Sequence, residues 1–299
     1  MTALTIGPLL FHWAPQKWLD FYARIADEAP VDTVYLGEVI CSKRAPFIEP
    51  LYESARQRLT AGGKSVVMSG LAEVMTRPER RMAEKIADYD DLVEANETAT
   101  LYHLQGRPFA CGPYLNVYNE LTLRYLAGLG ATHVTLPPEL RMPAIRTMAA
   151  AAKTLDLSVE VQVFGRIPLA LSARCYHARA HGRVKNNCRF VCREDPDGMG
   201  LRTLDKTPFL AINGIQTLSH ACLNLMAEMP VLSAAGVDAF RLSPHTCDMV
   251  RVSEAYRAVA DGHMAATEGI EKLGEISIDA PFANGFIHGQ AGHVWLGDT

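Results

Sequence analysis

No stretch of this 299-residue chain approaches the ~18 consecutive apolar residues that a membrane-spanning helix needs. The opening Met-Thr-Ala-Leu-Thr-Ile-Gly lacks the charged segment and long apolar run of a secretory leader. Basic charge is scarce: 29 Lys and Arg stand against 33 Asp and Glu, a formal net charge of −4. Nucleic acid is therefore not the expected partner, because phosphate binding usually shows as a basic excess. No glycine-rich phosphate loop follows a strand; the glycines of 285–289 follow no strand and open no helix. The His-Glu-x-x-His motif is missing, and no spacing picks out a Ser/His/Asp or Cys/His hydrolytic set. Together these absences predict a cytoplasmic protein without a membrane span, and they remove the usual signs of a protease. What is abundant is apolar: 48% of the residues, enough for a full core in one large domain or two small ones.

The seven cysteines are an odd number, which argues against a closed disulfide framework. Cys175, Cys188 and Cys192 are spaced C-x12-C-x3-C, and Cys41 stands alone upstream. Thiols in this pattern point to a metal or iron–sulfur site. Cys188 and Cys192 are four apart, so a helix would aim both the same way. Zinc accepts four thiolates, but its structural sites usually show two close pairs, and here there is one. A [4Fe–4S] cluster tolerates a dispersed fourth ligand. Arg174, Arg179, Arg183, Lys185, Arg189 and Arg193 crowd the segment, with no acid before Glu194. Such cations would stabilise an anionic cluster; a solvated face or an RNA-contacting patch would look the same. Cys111, Cys222 and Cys247 read as small buried hydrophobes. His177 and His181 read as flanking polar residues that would compete with the cysteines as ligands.

Apolar strand-like runs alternate with helical patterns. Strands are predicted at 4–7, 33–36, 65–68, 92–94, 108–111, 131–135, 157–164 and 239–242. Helices are predicted at 16–29, 47–59, 79–89, 97–104, 120–128, 138–154, 221–235 and 248–261, with Asn119 as a cap and 280–299 as loop. Eight strand–helix units predict a single α/β domain over 1–299, a (β/α)8 barrel, closed or incomplete; an open doubly wound sheet is the alternative. Residues 166–218 read as an irregular, cysteine-bearing insertion. In a barrel, Cys41 and Cys175 follow strands and share one face. On that face Glu38 and Asn116 are candidate catalytic groups, though an ion pair for Glu38 with Lys43 or Arg44 is an equal reading. Arg241 and His245 are candidates for binding an anionic substrate.

Val34-Tyr35-Leu36-Gly37-Glu38-Val39-Ile40-Cys41-Ser42-Lys43-Arg44, and Glu160-Val161-Gln162-Val163-Phe164-Gly165 followed by Ser172-Ala173-Arg174-Cys175, resemble segments of the collagenase-like peptidases. That family's signature runs roughly E-x-F-x-H-G-x-x-C-x6-C. Here Phe164 stands at the histidine position, Pro168 at the first cysteine, and only the second cysteine survives, as Cys175. The departure weakens a hydrolase reading. The resemblance implies the branch of the family that serves oxygen-independent ubiquinone biosynthesis. It also implies one [4Fe–4S] cluster on Cys41, Cys175, Cys188 and Cys192, with Cys41 replacing the missing ligand. The function so implied is hydroxylation of aromatic precursors without molecular oxygen, in a heterodimer with a homologous subunit. Prephenate is the implied oxygen donor, and a sterol-carrier-like lipid-binding protein the implied accessory. Relatives that hydroxylate RNA bases suggest a second activity, and a cluster that only senses redox state or scaffolds the fold is a third reading.

Overall fold

The computed structural model describes residues 2–276 and 278–297. Short, largely apolar runs are buried on both faces, as parallel strands covered by helices require. They form β1 (Ala3–Ile6), β2 (Thr33–Leu36), β3 (Ser65–Ser69), β4 (Leu92–Ala95), β5 (Phe109–Cys111) and β6 (Ala131–Thr135). The chain continues through β7 (Ser158–Leu171), β8 (Met199–Arg202), β9 (Pro208–Asn213), β10 (Gln216–Asn224), β11 (Ala239–Leu242) and β12 (Phe282–Ala283). Each of β1 to β6 pairs in parallel with the next strand, β7 pairs with β11, and β11 returns to β1. The parallel sheet therefore closes on itself as a (β/α)8 barrel, and the open-sheet alternative is set aside.

The helices cover the outside. Pro15–Glu28 buries Trp18, Tyr22, Ile25 and Ala26. The helix expected at 47–59 is divided into Ala45–Ile48, a 3-10 turn at Glu49–Leu51, and Tyr52–Ala61. Pro50 explains the break, since it has no N–H for the preceding turn and its ring crowds it. The alanine-rich helix starts at Met142, not at Pro137-Pro138, with Pro143 in its first turn. Asn119 caps Glu120–Leu129 by accepting from the Thr122 N–H at 2.9 Å. Thr76 and Glu79 form a reciprocal capping box on Arg77–Ala87. Glu79 also accepts from the Ser42 hydroxyl at 2.8 Å, which ties that cap to the loop after β2. Thr76→Ala is expected to cost about 1 kcal/mol, which thermal melts would register as a fall of roughly 2 °C.

About a third of the segment expected to be irregular is sheet. β7 does not stop at Phe164 but runs on to Leu171, leaving the barrel as it goes. Up to Phe164 it pairs with β11; from Phe164 to Leu171 it pairs antiparallel with β10. Gly165 sits at the switch with φ +103, and a Cβ there would come within 2.7 Å of the Ser243 side chain. Pro168 follows in the extension, beside a register shift, where proline is tolerated in a strand. β10 pairs with β9 and β9 with β8, so an antiparallel sheet stands on the end of the barrel. The helix expected at 221–235 is thus partly strand: β10 ends at Asn224, and only Met229–Ala234 is helical. A short apolar run buried on both faces has no period that separates the two readings. A further helix, Ala266–Ile276, was not expected. No helix among the described residues is long and apolar enough to cross a membrane.

Candidate metal centre at the barrel mouth

The Cys41 loop is built on Glu38. β2 ends at Leu36, and Glu38 lies just beyond it, buried, with its Oε1 accepting from the N–H groups of Ile40 and Cys41 at 2.9 Å each. Burial pushes the Glu38 carboxyl up, and the Arg44 guanidinium and these two N–H groups oppose it. Glu38 is thus the internal brace of the turn that presents Cys41. Lys43 does not pair with it: the ammonium reaches the carbonyls of Lys185 and Asn186 at 2.7 and 3.3 Å, and the Cys188 sulfur at 3.7 Å.

Arg44 is the hub. Its side chain is 1% exposed. Nη1 donates to the Leu10 carbonyl and Nη2 to Asn213 Oδ1, both at 2.8 Å. The same guanidinium lies close enough to Cys192 and Cys41 to act on both electrostatically. One buried cation therefore links the loop after β1, the loop after β2, the Cys192 turn and the end of β9.

The other three cysteines lie between β7 and β8. Cys175 caps the short helix Tyr176–Ala180, and its sulfur accepts from the Ala178 N–H at 3.4 Å. Cys188 and Cys192 are not on a helix, contrary to the i, i+4 expectation. Between them Arg189 and Phe190 take left-handed φ values of 48° and 55°. Cys192 then sits in a 3-10 turn, Val191–Arg193. A right-handed residue followed by a left-handed one turns successive N–H groups toward a common point, a geometry frequent at anion and iron–sulfur sites. The Phe190 N–H donates to the Cys188 sulfur at 3.5 Å. Strained backbone in two non-glycine residues is the kind of feature that persists where a site requires it.

Two of the four sulfurs have a backbone N–H donor, Ala178 for Cys175 and Phe190 for Cys188, and the Lys43 ammonium also reaches Cys188. Cys175 interacts electrostatically with Cys192 and Cys188. Cys175 and Cys188 also share an apolar cluster with Leu10, Val39, Ile40, Ala178 and Ile215. Burial raises the Cys41 thiol to about 11, against the pull of Arg44; it raises Cys175 too. All four thiols are free. Soft sulfur donors, aimed N–H groups and buried cations suit a centre whose ligands must be thiolates.

The remaining candidates lie elsewhere. Asn116 is exposed at φ 55, and its Nδ2 donates to the Tyr114 carbonyl in its own turn at 3.2 Å. Arg241 is inside the barrel. Its Nε donates to Glu160 at 2.8 Å, and its Nη2 donates to Glu94 at 2.7 Å and Thr135 at 2.9 Å. Two carboxylates already outweigh its charge, which leaves no surplus for an anion. His245 is buried, with both ring nitrogens engaged. Nε2 accepts from the Arg166 N–H at 3.0 Å, so Nδ1 carries the proton and donates to Asp197 at 3.1 Å. Burial lowers the His245 pKa despite Asp197, consistent with a neutral ring. Cys111 and Cys222 are buried, as expected, and Cys247 is half-buried against the core.

The sequence reading missed Arg44 as a site residue and missed His12. His12 is buried against Phe47 and Phe190, with Nε2 3.1 Å from Arg193. Burial, with Arg44 and Arg193 nearby, lowers it to about 3. The sequence signal for Arg44 was a basic residue three positions after a cysteine, and His12 carried none.

Among the solved structures to which the chain is similar are two with low structural overlap. One is the phospho-2-dehydro-3-deoxyheptonate aldolase of Thermotoga maritima, 13% identical, covering 91% of this chain and 68% of that one, with a TM-score of 0.41. The other is the spore cortex-lytic enzyme SleL of Bacillus cereus, 9% identical, covering 87% and 75%, with a TM-score of 0.42. Likeness at this level carries nothing about activity. The family model described as peptidase family U32 matches residues 20–296, nearly the whole barrel and all four clustered cysteines, and the chain belongs to that family.

Proposed function

We propose that this member of the family is a UbiV-type subunit: an iron–sulfur component of an oxygen-independent hydroxylase that acts on aromatic precursors in ubiquinone biosynthesis. What supports it is the C-x12-C-x3-C spacing with Cys41 upstream, the Lys43 ammonium that joins the Cys41 turn to Cys188, and the backbone N–H donors on the Cys175 and Cys188 sulfurs. These residues fit a [4Fe–4S] cluster, which when bound supplies one-electron redox chemistry. The chain's own part is to hold four thiolates and to balance their charge. Glu38 fixes the Cys41 turn, Lys43 joins that turn to Cys188, and Arg44 keeps a cation beside Cys192 and Cys41.

With all four thiolates engaged, the chain offers no vacant position for a substrate atom. The subunit's role is then electron transfer to a UbiU-like homologous subunit within a heterodimer, with prephenate as the oxygen donor and a sterol-carrier-like protein delivering the lipid precursor. A peptidase role is disfavoured by Phe164 and Pro168 at the family's histidine and cysteine positions.

The test is anaerobic purification followed by iron and acid-labile sulfide analysis. The expected result is the stoichiometry of one [4Fe–4S] cluster per chain, lost on Cys→Ser at any of the four positions and kept on Cys111→Ala or Cys247→Ala. Stoichiometric zinc without sulfide would refute the proposal.

A further inference from the structure

Next to the cysteines the chain assembles a second donor set, of nitrogen and oxygen, that a thiolate centre does not use. His177 lies on the helix Tyr176–Ala180, His181 follows directly after it, and Asp195 lies in the turn that leads to β8. Ligand atoms of the three all lie within 4.8 Å of one another. His177 Nε2 is 2.9 Å from Asp195 Oδ2. The His177 and His181 rings stack, with centroids 5.6 Å apart. The His177 side chain is 1% exposed, and the Nδ1 atoms of both histidines are buried without a hydrogen-bond partner. A buried polar nitrogen left unpaired costs about 1–3 kcal/mol; His177 faces Asp195 with Nε2, which leaves the Nδ1 of His181 as the unpaired atom that an ion beside that pair would satisfy. The Asp195 side chain is 31% exposed, so one side of the group is open to water and an ion has a way in.

We propose that His177, His181 and Asp195 form a binding site for a divalent transition-metal cation of the zinc class, with water completing the coordination. Two imidazoles and one carboxylate suit zinc-like ions, whereas magnesium and calcium prefer all-oxygen surroundings. Metal–ligand bonds of about 2.0–2.2 Å put two donors on one ion roughly 3–3.5 Å apart. The 2.9 Å between His177 and Asp195 is already close to that separation. The position gives the ion a task. His177 is two residues beyond Cys175, and Asp195 three beyond Cys192, so the ion clips together the two ends of the loop that carries three of the cysteines. The site does not depend on what those cysteines bind.

The experiment titrates Zn2+ by calorimetry, and Co2+ by visible absorption, into two forms of the full chain. One is the anaerobically purified protein; the other carries serine at Cys41, Cys175, Cys188 and Cys192, which removes competing thiols. One ion per chain is expected in both, with affinity at least about tenfold weaker in His181→Ala and in Asp195→Asn. Asp195→Asn keeps a neutral partner for His177, and unchanged far-ultraviolet circular dichroism would show that the loss is not unfolding. Absence of uptake by the four-serine chain, or uptake unaffected by both substitutions, overturns the site. Uptake that depends on Asp195 in a chain devoid of iron and sulfide leaves this site standing while the iron–sulfur proposal falls.

Discussion

Arg241→Met is expected to destabilise the protein by about 3–5 kcal/mol, the usual consequence of removing one partner from a buried ion pair. The side chain lies inside the barrel with its guanidinium 4.0 Å from the centroid of the Tyr35 ring. It donates to Glu160 and Glu94, which are 4% and 0% exposed. Glu160 also accepts from the hydroxyls of Thr5, Tyr35 and Thr135, and Glu94 from Ser69 and Asn96. Those donors hold the carboxylates in place but leave their charge uncompensated once Arg241 is gone. Burial opposes ionisation of Glu160, but Arg241 and the hydroxyl donors hold its pKa below the usual glutamate range. Its folded pKa is therefore depressed, so its contribution is present above the ordinary value near about 4.3 and is lost as pH falls through the folded value. Buried His245 acts in the same direction: its folded pKa is lowered, and its contribution declines once pH falls below about 6.5. Urea unfolding of the wild type should show stability decreasing toward acid, with a smaller deficit for Arg241→Met at low pH, where orphaned Glu160 takes up a proton. Adding Glu160→Gln to Arg241→Met should restore part of the loss. Equal stability of Arg241→Met and wild type at neutral pH would show that the cation is not structural and would revive Arg241 as a substrate-binding residue.

The barrel was legible because each parallel strand is a short apolar run between helical patterns, a signal carried within a few residues. The antiparallel sheet was not, because its strands are specified by partners far along the chain: the Gly165 and Pro168 stretch of β7 reads as a break until it meets β10 some fifty residues later. The cysteines were legible by type and spacing, but their geometry was not. A four-residue interval suggested a helix, whereas left-handed backbone at Arg189 and Phe190 sets the directions of Cys188 and Cys192. Arg241 was misjudged for a similar reason. Its neutralising partners lie 81 and 147 residues away, beyond the reach of any local pattern. Only Glu38 carried its role nearby, since its carboxylate folds back on the next turn of chain.

Arg44→Met is expected to cost about 1.5–3 kcal/mol through the lost hydrogen bonds of a buried charged donor and, if the cysteines hold the proposed iron–sulfur cluster, to deprive that centre of its metal even where the barrel still folds. Three losses coincide. The Leu10 carbonyl and Asn213 Oδ1 lose their charged donor, although the Asn213 amide still reaches Leu10 at 2.7 Å. Cys192 loses the cation beside it, and the field that favours thiolate at Cys41 disappears. Glu38 loses the cation that opposes its burial. Arg44→Lys separates charge from geometry, because a compact ammonium lacks the planar fork that reaches Leu10 and Asn213 at once. The lysine variant should therefore keep more bound iron than the methionine variant and less than wild type, as measured by iron and sulfide content after anaerobic purification, with urea unfolding of the metal-free chains run alongside. If the metal-free chains lose the same stability but both variants retain a full complement of iron, Arg44 supports the loop and has no part in the centre. If the methionine variant alone loses iron in proportion to its missing charge, electrostatic balance around the four sulfurs outweighs the packing that Arg44 provides. The low exposure of the residue favours a mixture in which both terms fall together, and for that reason the lysine variant is the deciding measurement.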